Sequence, residues 1–324
     1  MSDHAVPPPE GPRPTLSVVT TLYNSARFLP EFHRRVAAAV AALPGECEIV
    51  MVNDGSPDES LQVALALRRQ DPRIRIVDLS RNFGHHKALM TGLLHARGEL
   101  VFLLDSDLEE DPGWLETFLR TQRETGADVV YGVQASRKGG WFERVTGQLF
   151  FSLFNRLLTH PIPNNVVTAR VMTRRYVRAL IQHRDQEVCI AGLWTITGFD
   201  QRPLVVAKAT GASSSYTLRR RISVFVNAIT SFSNRPLLLI FQVGIGVILL
   251  SMAAGAVLLY TSLTGEIGVP GWASIMVSIW FLGGVTIFCV GVLGIYLAKI
   301  FTETKDRPYT VVRHVYGPHD APRD

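Results

Sequence analysis

Residues 100–112 read LVFLLDSDLEEDP, and this stretch decides which fold the sequence predicts. Its apolar first part, residues 100–104, has polar bounds and is too short for a free-standing helix, so it predicts a buried strand of a parallel sheet. The strand leads into Asp105, and Asp107 follows two residues later. Because side chains two residues apart in an extended chain share a face, both carboxylates are expected at the strand's carboxyl end, where open α/β sheets bind ligands.

This pair of carboxylates is a candidate metal site. Carboxylate oxygens suit Mg²⁺ or Mn²⁺, and an ion bound there would bridge the phosphates of a nucleotide substrate. Glu109, Glu110 and Asp111 extend the acidic cluster. The alternative interpretation is an acidic loop that caps a helix beginning near Pro112, because Asp before Pro favours a helix start. Both interpretations stay open on these residues alone.

The surrounding chain repeats a pattern of strand, turn and helix. Apolar strands are expected at residues 16–23, 47–53 and 74–80, each followed by a turn and a helix, and a fifth strand at residues 128–132. Strands and helices that alternate at this spacing predict an α/β fold with a doubly wound, mostly parallel sheet.

Polar residues follow each of the first four predicted strands. In a parallel sheet these strand ends meet in one crevice. A single polar turn is a common helix cap, but four in succession indicate a binding site. The residues are Tyr23 and Asn24, Asp54, Arg81 and Asn82, and Asp105 and Asp107.

Composition separates the chain into two regions. Of the 324 residues, 47% are hydrophobic, which is enough for a sizeable core. Residues up to about 215 mix charged and apolar side chains, whereas residues 236–301 are almost uncharged. The three cysteines are scattered without metal spacing, which favours free thiols in a reducing compartment. Residues 1–14 are rich in proline and predict a disordered tail, not a signal peptide.

The apolar region predicts a membrane protein. Residues 236–263 and 272–300 each exceed the ~20 apolar residues that span a bilayer, and the alternative is a helical hairpin buried in a protein core. Residues 219–233 predict an interfacial amphipathic helix, with a buried soluble helix as the alternative. The aromatic-rich residues 139–158 fit either core packing or the membrane interface.

Basic residues near the apolar region predict its orientation. The loop between the two apolar segments has no Lys or Arg, whereas Arg235 precedes the first segment and Lys305 and Arg307 follow the second. The positive-inside rule therefore predicts that both termini are cytoplasmic. The net charge is +5, and cations cluster beside the apolar region at Arg219, Arg220, Arg221 and Arg235. No nucleic-acid motif is present, so this cluster favours a membrane surface over nucleic acid as the partner.

Five segments occur in an order that is specific for one family of enzymes. They are VTTLYN (19–24), VNDGSPDES (52–60), LSRNFGHHKALMTGLLHARGE (79–99), FLLDSDLEEDP (102–112) and GVLGIYLAKIFTETKDRPYTV (291–311). Together they resemble the family-two glycosyltransferases of GT-A fold, and more closely the polyprenyl-phosphate glycosyltransferases. That group includes dolichyl-phosphate mannose synthase, bactoprenol glucosyltransferases and undecaprenyl-phosphate aminoarabinose transferase. The resemblance covers about residues 15–315.

The resemblance implies the architecture of the whole chain. A GT-A, Rossmann-like domain with a mostly parallel sheet is followed by interfacial amphipathic helices and a hairpin of two transmembrane helices. The protein is expected to be multi-pass in the inner (cytoplasmic) membrane, with its catalytic domain in the cytoplasm, and to form a homo-oligomer such as a tetramer. The expected boundaries are 1–14 for a disordered tail, 15–215 for the cytoplasmic catalytic domain, 216–235 for an interfacial helix, 236–301 for two transmembrane helices and 302–324 for a cytoplasmic tail.

The resemblance also implies roles for the strand-end residues. Asp54 would hold the base of a uridine nucleotide, and Arg81 would lie near the diphosphate. Asp105 would lie near the ribose or the metal, and Asp107 would ligate Mg²⁺ or Mn²⁺ directly. The other expected donor contacts are Thr21, Tyr23, Asn24, Lys87 and Lys208.

Two segments depart from the family pattern. Many relatives carry Gly-Asp-Phe-Arg-Leu, with the Asp proposed as a catalytic base, where residues 167–171 here read VTARV, so Thr168 takes the place of the Asp. A phosphate acceptor has a second pKa of about 6 and is largely dianionic at neutral pH, so positioning can replace deprotonation. Residues 208–216, KATGASSSY, replace a usual R-x-x-G-x-S-K-Y and keep its first basic residue as Lys208, but have serine for the later lysine.

Three further side chains have structural explanations. Trp194 either stacks on the sugar or packs in the core. His85 and His86 lie near the expected diphosphate site, and hydrogen bonding at the start of a helix explains them without metal ligation.

The resemblance implies an inverting, metal-dependent transfer of one sugar from a nucleotide diphosphate sugar, a UDP-sugar, to polyprenyl (undecaprenyl) phosphate. A divalent cation and a guanidinium would stabilise the departing diphosphate. Two alternatives stay open: a membrane-anchored scaffold that binds a nucleotide sugar without turnover, and a glycosyltransferase that acts on a glycan. A processive polysaccharide synthase is disfavoured because the chain has no Q-x-x-R-W motif.

Overall fold

The computed structural model describes residues 13–134, 165–186, 190–207, 271–305 and 307–317, and separate positions between 237 and 264. The chain forms two units, each described by itself. The first unit comprises Met1–Phe151, Ile162–Ser215 and Pro308–Asp324, and the second comprises Ser152–Pro161 and Tyr216–Arg307.

The first unit alternates strands and helices as predicted. Its first four strands end within one residue of their expected bounds, and the fifth begins one residue and ends two residues later than expected. The elements are β1 (Leu16–Leu22), α1 (Leu29–Ala41), β2 (Cys47–Asn53), α2 (Ser60–Gln70), β3 (Ile74–Leu79), α3 (His85–His95), β4 (Leu100–Leu103), α4 (Trp114–Thr125), β5 (Val129–Gln134), β6 (Val166–Thr173), α5 (Arg174–Leu180), α6 (Ile190–Ile196), β7 (Gln201–Val206), then α7 (Trp272–Thr304) of the second unit, and β8 (Val312–Tyr316).

Eight strands form one sheet in the order β7-β5-β6-β4-β1-β2-β3-β8. β1 pairs in parallel with β2 and β4, β2 with β3, and β5 with β7. β6 runs antiparallel to both of its neighbours, and β8 runs antiparallel to β3. The predicted mostly parallel α/β sheet is confirmed, and it contains two reversed strands that the alternation of strands and helices does not predict.

The core explains why apolar residues predominate in the first strands. All seven residues of β1 are buried, as expected for a central strand covered on both faces. Helix α1 adds Phe32, Val36 and Val40, which are spaced by four residues and therefore share one helix face. Each of the three is at most 4% exposed. This packing fixes the strand ends on which the candidate site depends.

β8 returns the chain from the second unit to the sheet of the first. Its backbone pairs with that of β3. Arg313 of β8 donates from Nη1 to Asp78 Oδ2 at 3.3 Å and from Nη2 to the backbone oxygen of Ser80 at 2.7 Å. Asp78 is 1% exposed and also accepts a hydrogen bond from Asn53 Nδ2 at 2.7 Å. The C-terminal strand is thus held by main-chain and side-chain bonds.

The second unit contains the long helix α7. Its segment Ser278–Thr304 is long and apolar enough to cross a membrane, and it is the one such helix found among the described residues. Within the predicted first span, residues 236–263, the described positions are helical, but no bounds are defined for a helix there. The predicted interfacial helix at 216–235 and the aromatic run at 139–158 lie outside the described residues. The two-helix hairpin therefore stays a prediction.

Replacing Arg313 by alanine tests how β8 is held. Buried Asp78 would keep its bond from Asn53 but lose its bond from Arg313, and Ser80 would lose its bond as well. Because the guanidinium is largely exposed, the two lost bonds together cost about 1 kcal/mol. We expect hydrogen exchange of the β8 amides to accelerate about fivefold in the Arg313→Ala protein, with β1 unchanged. The control is Arg202→Ala, which removes an exposed pair with Asp200 and should leave β8 unaffected. Unchanged exchange in β8 of the Arg313→Ala protein would contradict this account.

Candidate active site

The carboxyl ends of β1 and β4 are joined at the candidate site. Ser106 is 5% exposed and donates from Oγ to the backbone oxygen of Thr21 at 2.8 Å. The same Oγ lies 3.1 Å from Oγ of Ser25. These contacts bring together two of the strand ends that the sequence predicts to converge.

Asp105 lies at the centre of a network of polar side chains. Its Oδ2 accepts a hydrogen bond from Thr168 Oγ1 at 2.9 Å. Its Oδ1 is buried, accepts no hydrogen bond from the described residues and lies 3.4 Å from His85 Nε2. The other ring nitrogen of His85, Nδ1, lies 3.1 Å from Thr21 Oγ1. Three predicted site residues therefore belong to one network. Thr168 contacts Asp105 directly, and His85 lies between Asp105 and Thr21.

Glu110 has a structural role within the acidic cluster. It is 1% exposed, and its Oε1 accepts a hydrogen bond from the backbone N–H of Thr168 at 2.9 Å. Its Oε2 accepts the backbone N–H of Asp105 at 3.4 Å. This carboxylate links the start of β6 to the end of β4 and so keeps Thr168 beside Asp105.

Asp107 lies in the turn that follows Asp105 and is partly buried. Its Oδ1 accepts the backbone N–H of Glu109 at 3.0 Å. In the part of the chain that the structure describes, no group of three or more His, Cys, Asp or Glu side chains could hold a metal ion. Mg²⁺ is commonly held by one or two carboxylates together with substrate phosphates, so Asp105 and Asp107 fit an ion that arrives with a nucleotide.

Asp54 holds the loop that carries Arg81. It is 2% exposed, and its two carboxylate oxygens accept the backbone N–H groups of Phe83 at 2.7 Å and Gly84 at 3.0 Å. Burial raises the pKa of Asp54, and the two backbone hydrogen bonds oppose that rise. Arg81 is exposed, and its Cζ lies 4.1 Å from the centre of the Phe83 ring. Asp54 therefore positions the loop, and its contact with a nucleotide base stays a prediction.

The remaining predicted donor contacts lie around this loop or beyond the described chain. Tyr23 is 50% exposed, and Asn24 is exposed in a left-handed conformation with φ 54°. Lys87 donates from Nζ to Gln186 Oε1 at 3.5 Å. Lys208 lies outside the described residues.

Trp194 is buried against a cation. It is 7% exposed, and its ring centre lies 2.9 Å from Cζ of Arg170. Arg170 is 1% exposed and donates to the backbone oxygens of Val167 at 3.0 Å and Thr168 at 3.1 Å. Burial lowers the pKa of Arg170 to about 9. Trp194 also lines a cavity of about 350 Å³, but its burial against Arg170 favours the core interpretation over sugar stacking.

The contacts of His85 and Glu110 are not predicted by the sequence. Patterning puts His85 at the start of a helix and Glu110 in an acidic loop, but it does not tell which strand end either side chain faces. The position of His85 gives one indication of a role in the site, because it directly follows residues 81–84, the loop between β3 and α3.

The chain is similar to known proteins over most of its length. The profile described as Glycosyl transferase family 2 matches residues 17–181. A protein of Mycobacterium tuberculosis (strain CDC 1551 / Oshkosh) described as "Putative glycosyltransferases" is 50% identical over 302 residues, which are 93% of this chain and 88% of that protein. The bactoprenol glucosyl transferase of Shigella phage SfV is 32% identical over 302 residues, which are 92% of this chain and 98% of that protein.

Among solved structures, the mannosyltransferase PcManGT from Pyrobaculum calidifontis, in complex with GDP-Man and Mn²⁺, is 17% identical with a TM-score of 0.48. The match covers 91% of this chain and 88% of that chain.

The chain belongs to glycosyltransferase family 2. This membership confirms the predicted family resemblance and the predicted enzyme class, a glycosyltransferase. The matched segment, residues 17–181, contains every predicted site residue except Lys208.

Replacing Gly55 by alanine tests the close approach between the turn after β2 and the Arg81 loop. Gly55 has φ +57°, and a Cβ there would lie 2.5 Å from the backbone C of Arg81 and N of Asn82. We expect the loop to shift and the affinity for UDP with Mn²⁺, measured by calorimetry, to fall at least about tenfold.

The matched control is Gly126→Ala. Gly126 has φ +67°, and a methyl group added to its Cα would have nothing within 4 Å, so the substitution should cost about 1 kcal/mol of stability through backbone strain without changing UDP affinity. Equal UDP affinities of the Gly55→Ala and Gly126→Ala proteins would contradict the role of this contact.

Proposed function

We propose that the protein transfers one sugar from a UDP-sugar to a polyprenyl phosphate such as undecaprenyl phosphate, with inversion at the anomeric carbon. The observation that carries the proposal is the network around Asp105 at the carboxyl edge of the sheet, in a member of glycosyltransferase family 2. The similarity to a bactoprenol glucosyl transferase supports a lipid acceptor, because it extends over 92% of this chain and so beyond the catalytic unit.

On the donor side, Asp105 and Asp107 would hold Mg²⁺ or Mn²⁺ together with the diphosphate. The ion would supply positive charge where negative charge develops on the leaving group. Arg81 is exposed on the loop held by Asp54, so its guanidinium can contact the same diphosphate and stabilise it. The further donor contacts are Thr21, Tyr23, Asn24, Lys87 and Lys208.

On the acceptor side, the chemistry does not require Thr168 to act as a base. Its hydroxyl donates to Asp105, and a phosphate monoester with a second pKa of about 6 is already dianionic at neutral pH. An oxygen of that phosphate attacks the anomeric carbon while the bond from this carbon to the nucleotide diphosphate breaks, and the diphosphate leaves with the electron pair. The protein's task is to hold the two reactants in line.

The pairing of β8 with β3 supports an even number of membrane crossings. Because β8 belongs to the same sheet as β1–β7, strand β7 before the apolar region and strand β8 after it lie on one side of any membrane. A chain that leaves one side and returns to it crosses an even number of times. Ser278–Thr304 supplies one crossing, so we place the second in residues 236–263, whose described positions are helical.

With both ends in the cytoplasm, the catalytic unit would take a soluble nucleotide sugar while the acceptor's hydrocarbon chain stays in the bilayer. The product is then a lipid-phosphate-linked sugar on the cytoplasmic leaflet of the inner membrane. A homo-oligomer is a further expectation from the family resemblance.

Cysteine labelling tests this topology. In a chain whose three native cysteines are replaced by serine, we expect an impermeant maleimide to label Gly265→Cys in intact spheroplasts, because residue 265 lies in the loop without Lys or Arg. The control Ala321→Cys should react only after lysis. Labelling of Ala321→Cys in intact spheroplasts would contradict a cytoplasmic C-terminus.

Turnover by the purified full chain in detergent tests the reaction. We expect Mn²⁺ and undecaprenyl phosphate to support release of UDP from one UDP-sugar, with formation of a lipid-linked sugar. Asp107→Asn should lower the rate about a hundredfold or more, because it removes a carboxylate from the proposed metal site. Asp111→Asn is the matched control: Asp111 Oδ1 accepts the N–H of Gly113 at 2.9 Å, Asn can accept the same bond, and the rate should stay within about twofold.

The same assay distinguishes the alternatives. Release of nucleotide without lipid, or only with a glycan acceptor, would contradict the lipid phosphate as acceptor. Nucleotide binding without turnover of any UDP-, GDP- or CDP-sugar would favour the scaffold.

A further inference from the structure

We propose that His85 is a metal ligand of the donor site and binds one Mn²⁺ together with Asp105. This inference rests on the proposed function, because the ion is the one that accompanies the nucleotide diphosphate. It adds a ring nitrogen to a site that the sequence describes by two aspartates alone.

The two oxygens of Asp105 have different surroundings. Oδ2 accepts the hydrogen bond from Thr168 Oγ1, whereas Oδ1 is buried and accepts none from the described residues. A buried carboxylate oxygen without a donor is costly, and a bound cation would offset that cost. His85 Nε2 lies 3.4 Å from this oxygen and makes no hydrogen bond to it.

An ion between these two atoms would satisfy both. Two ligand atoms that each lie about 2.1 Å from a metal ion, at right angles, are about 3 Å apart. The separation of 3.4 Å between Asp105 Oδ1 and His85 Nε2 is close to that value. The His85 side chain is 48% exposed, so an ion carried by a nucleotide can reach the ring from solvent.

Each of the two ligands is oriented by a second hydrogen bond, as metal ligands usually are. With Nε2 on the ion, His85 Nδ1 carries the ring proton and donates it to Thr21 Oγ1, which lies 3.1 Å away. Thr21 is 7% exposed at the end of β1, so this acceptor is fixed by the core. The hydroxyl of Thr168 fixes the Asp105 carboxylate in the same way.

The ligand set defines the class of cation. Mg²⁺ prefers oxygen ligands, whereas imidazole binds transition metals well, so a site with His85 selects Mn²⁺ over Mg²⁺. Diphosphate oxygens would complete the coordination of an ion held by Asp105 and His85.

Pulsed electron paramagnetic resonance of the full chain with Mn²⁺ and UDP tests the assignment. We expect a ¹⁴N coupling from a bound imidazole, which changes to a ¹⁵N coupling when the protein is made with ¹⁵N-histidine. The coupling should persist in His86→Asn, the matched control one residue away, and vanish in His85→Asn. The Mn²⁺ dissociation constant of His85→Asn should rise at least about tenfold, with a smaller change for Mg²⁺.

The outcomes separate this inference from the proposed function. Mn²⁺-dependent UDP binding without a nitrogen coupling in the wild-type protein would overturn the assignment of His85 and leave the proposed function intact. Loss of the coupling in His86→Asn instead of His85→Asn would also overturn it. Absence of any metal-dependent binding of UDP, GDP or CDP by the wild-type protein would overturn the proposed function, and the assignment of His85 with it.

Discussion

β6 runs antiparallel to β4, and this direction carries Thr168 to the strand end where Asp105 lies. Leu103 is the last paired residue of β4 and lies opposite Arg170, so the residues before Arg170 extend past the carboxyl end of β4. Glu110 then bonds the backbone of both Thr168 and Asp105. If β6 were parallel to β4, Thr168 would lie near the amino end of β4, and the network around Asp105 could not form.

The acidic stretch after β4 combines the two interpretations that its sequence allows. Asp111 accepts the backbone N–H of Gly113 just before α4, as expected for a residue at a helix start. Glu110 is buried and bonds the backbone, so it serves the fold. Asp105 and Asp107 are the carboxylates that fit a metal ion. Neighbouring acids thus have different roles because their oxygens meet different partners, and burial separates these roles more clearly than spacing does.

The first four strands could be predicted from their predominantly apolar residues, because burial on both faces favours such a sequence. The sequence also predicts that the polar strand ends converge, and the structure joins the ends of β1 and β4 through Ser106 and Thr21. The direction of β6 and the pairing of β8 could not, because both depend on contacts between distant residues: Thr168 bonds Asp105 across 63 positions, and Arg313 bonds Asp78 across 235. Whether His85 faces Asp105 depends on how α3 packs against the sheet. Helical periodicity in the sequence does not determine that packing.

A structure of the full chain with UDP and Mn²⁺, with the ion located by its anomalous scattering, tests most directly whether the carboxyl edge of the sheet is the donor site. We expect the manganese peak beside Asp105 and Asp107, with the nucleotide lying across the ends of β1 and β2 and its diphosphate at the ion. Manganese and nucleotide bound elsewhere, for example in the cavity lined by Trp194, would contradict this account.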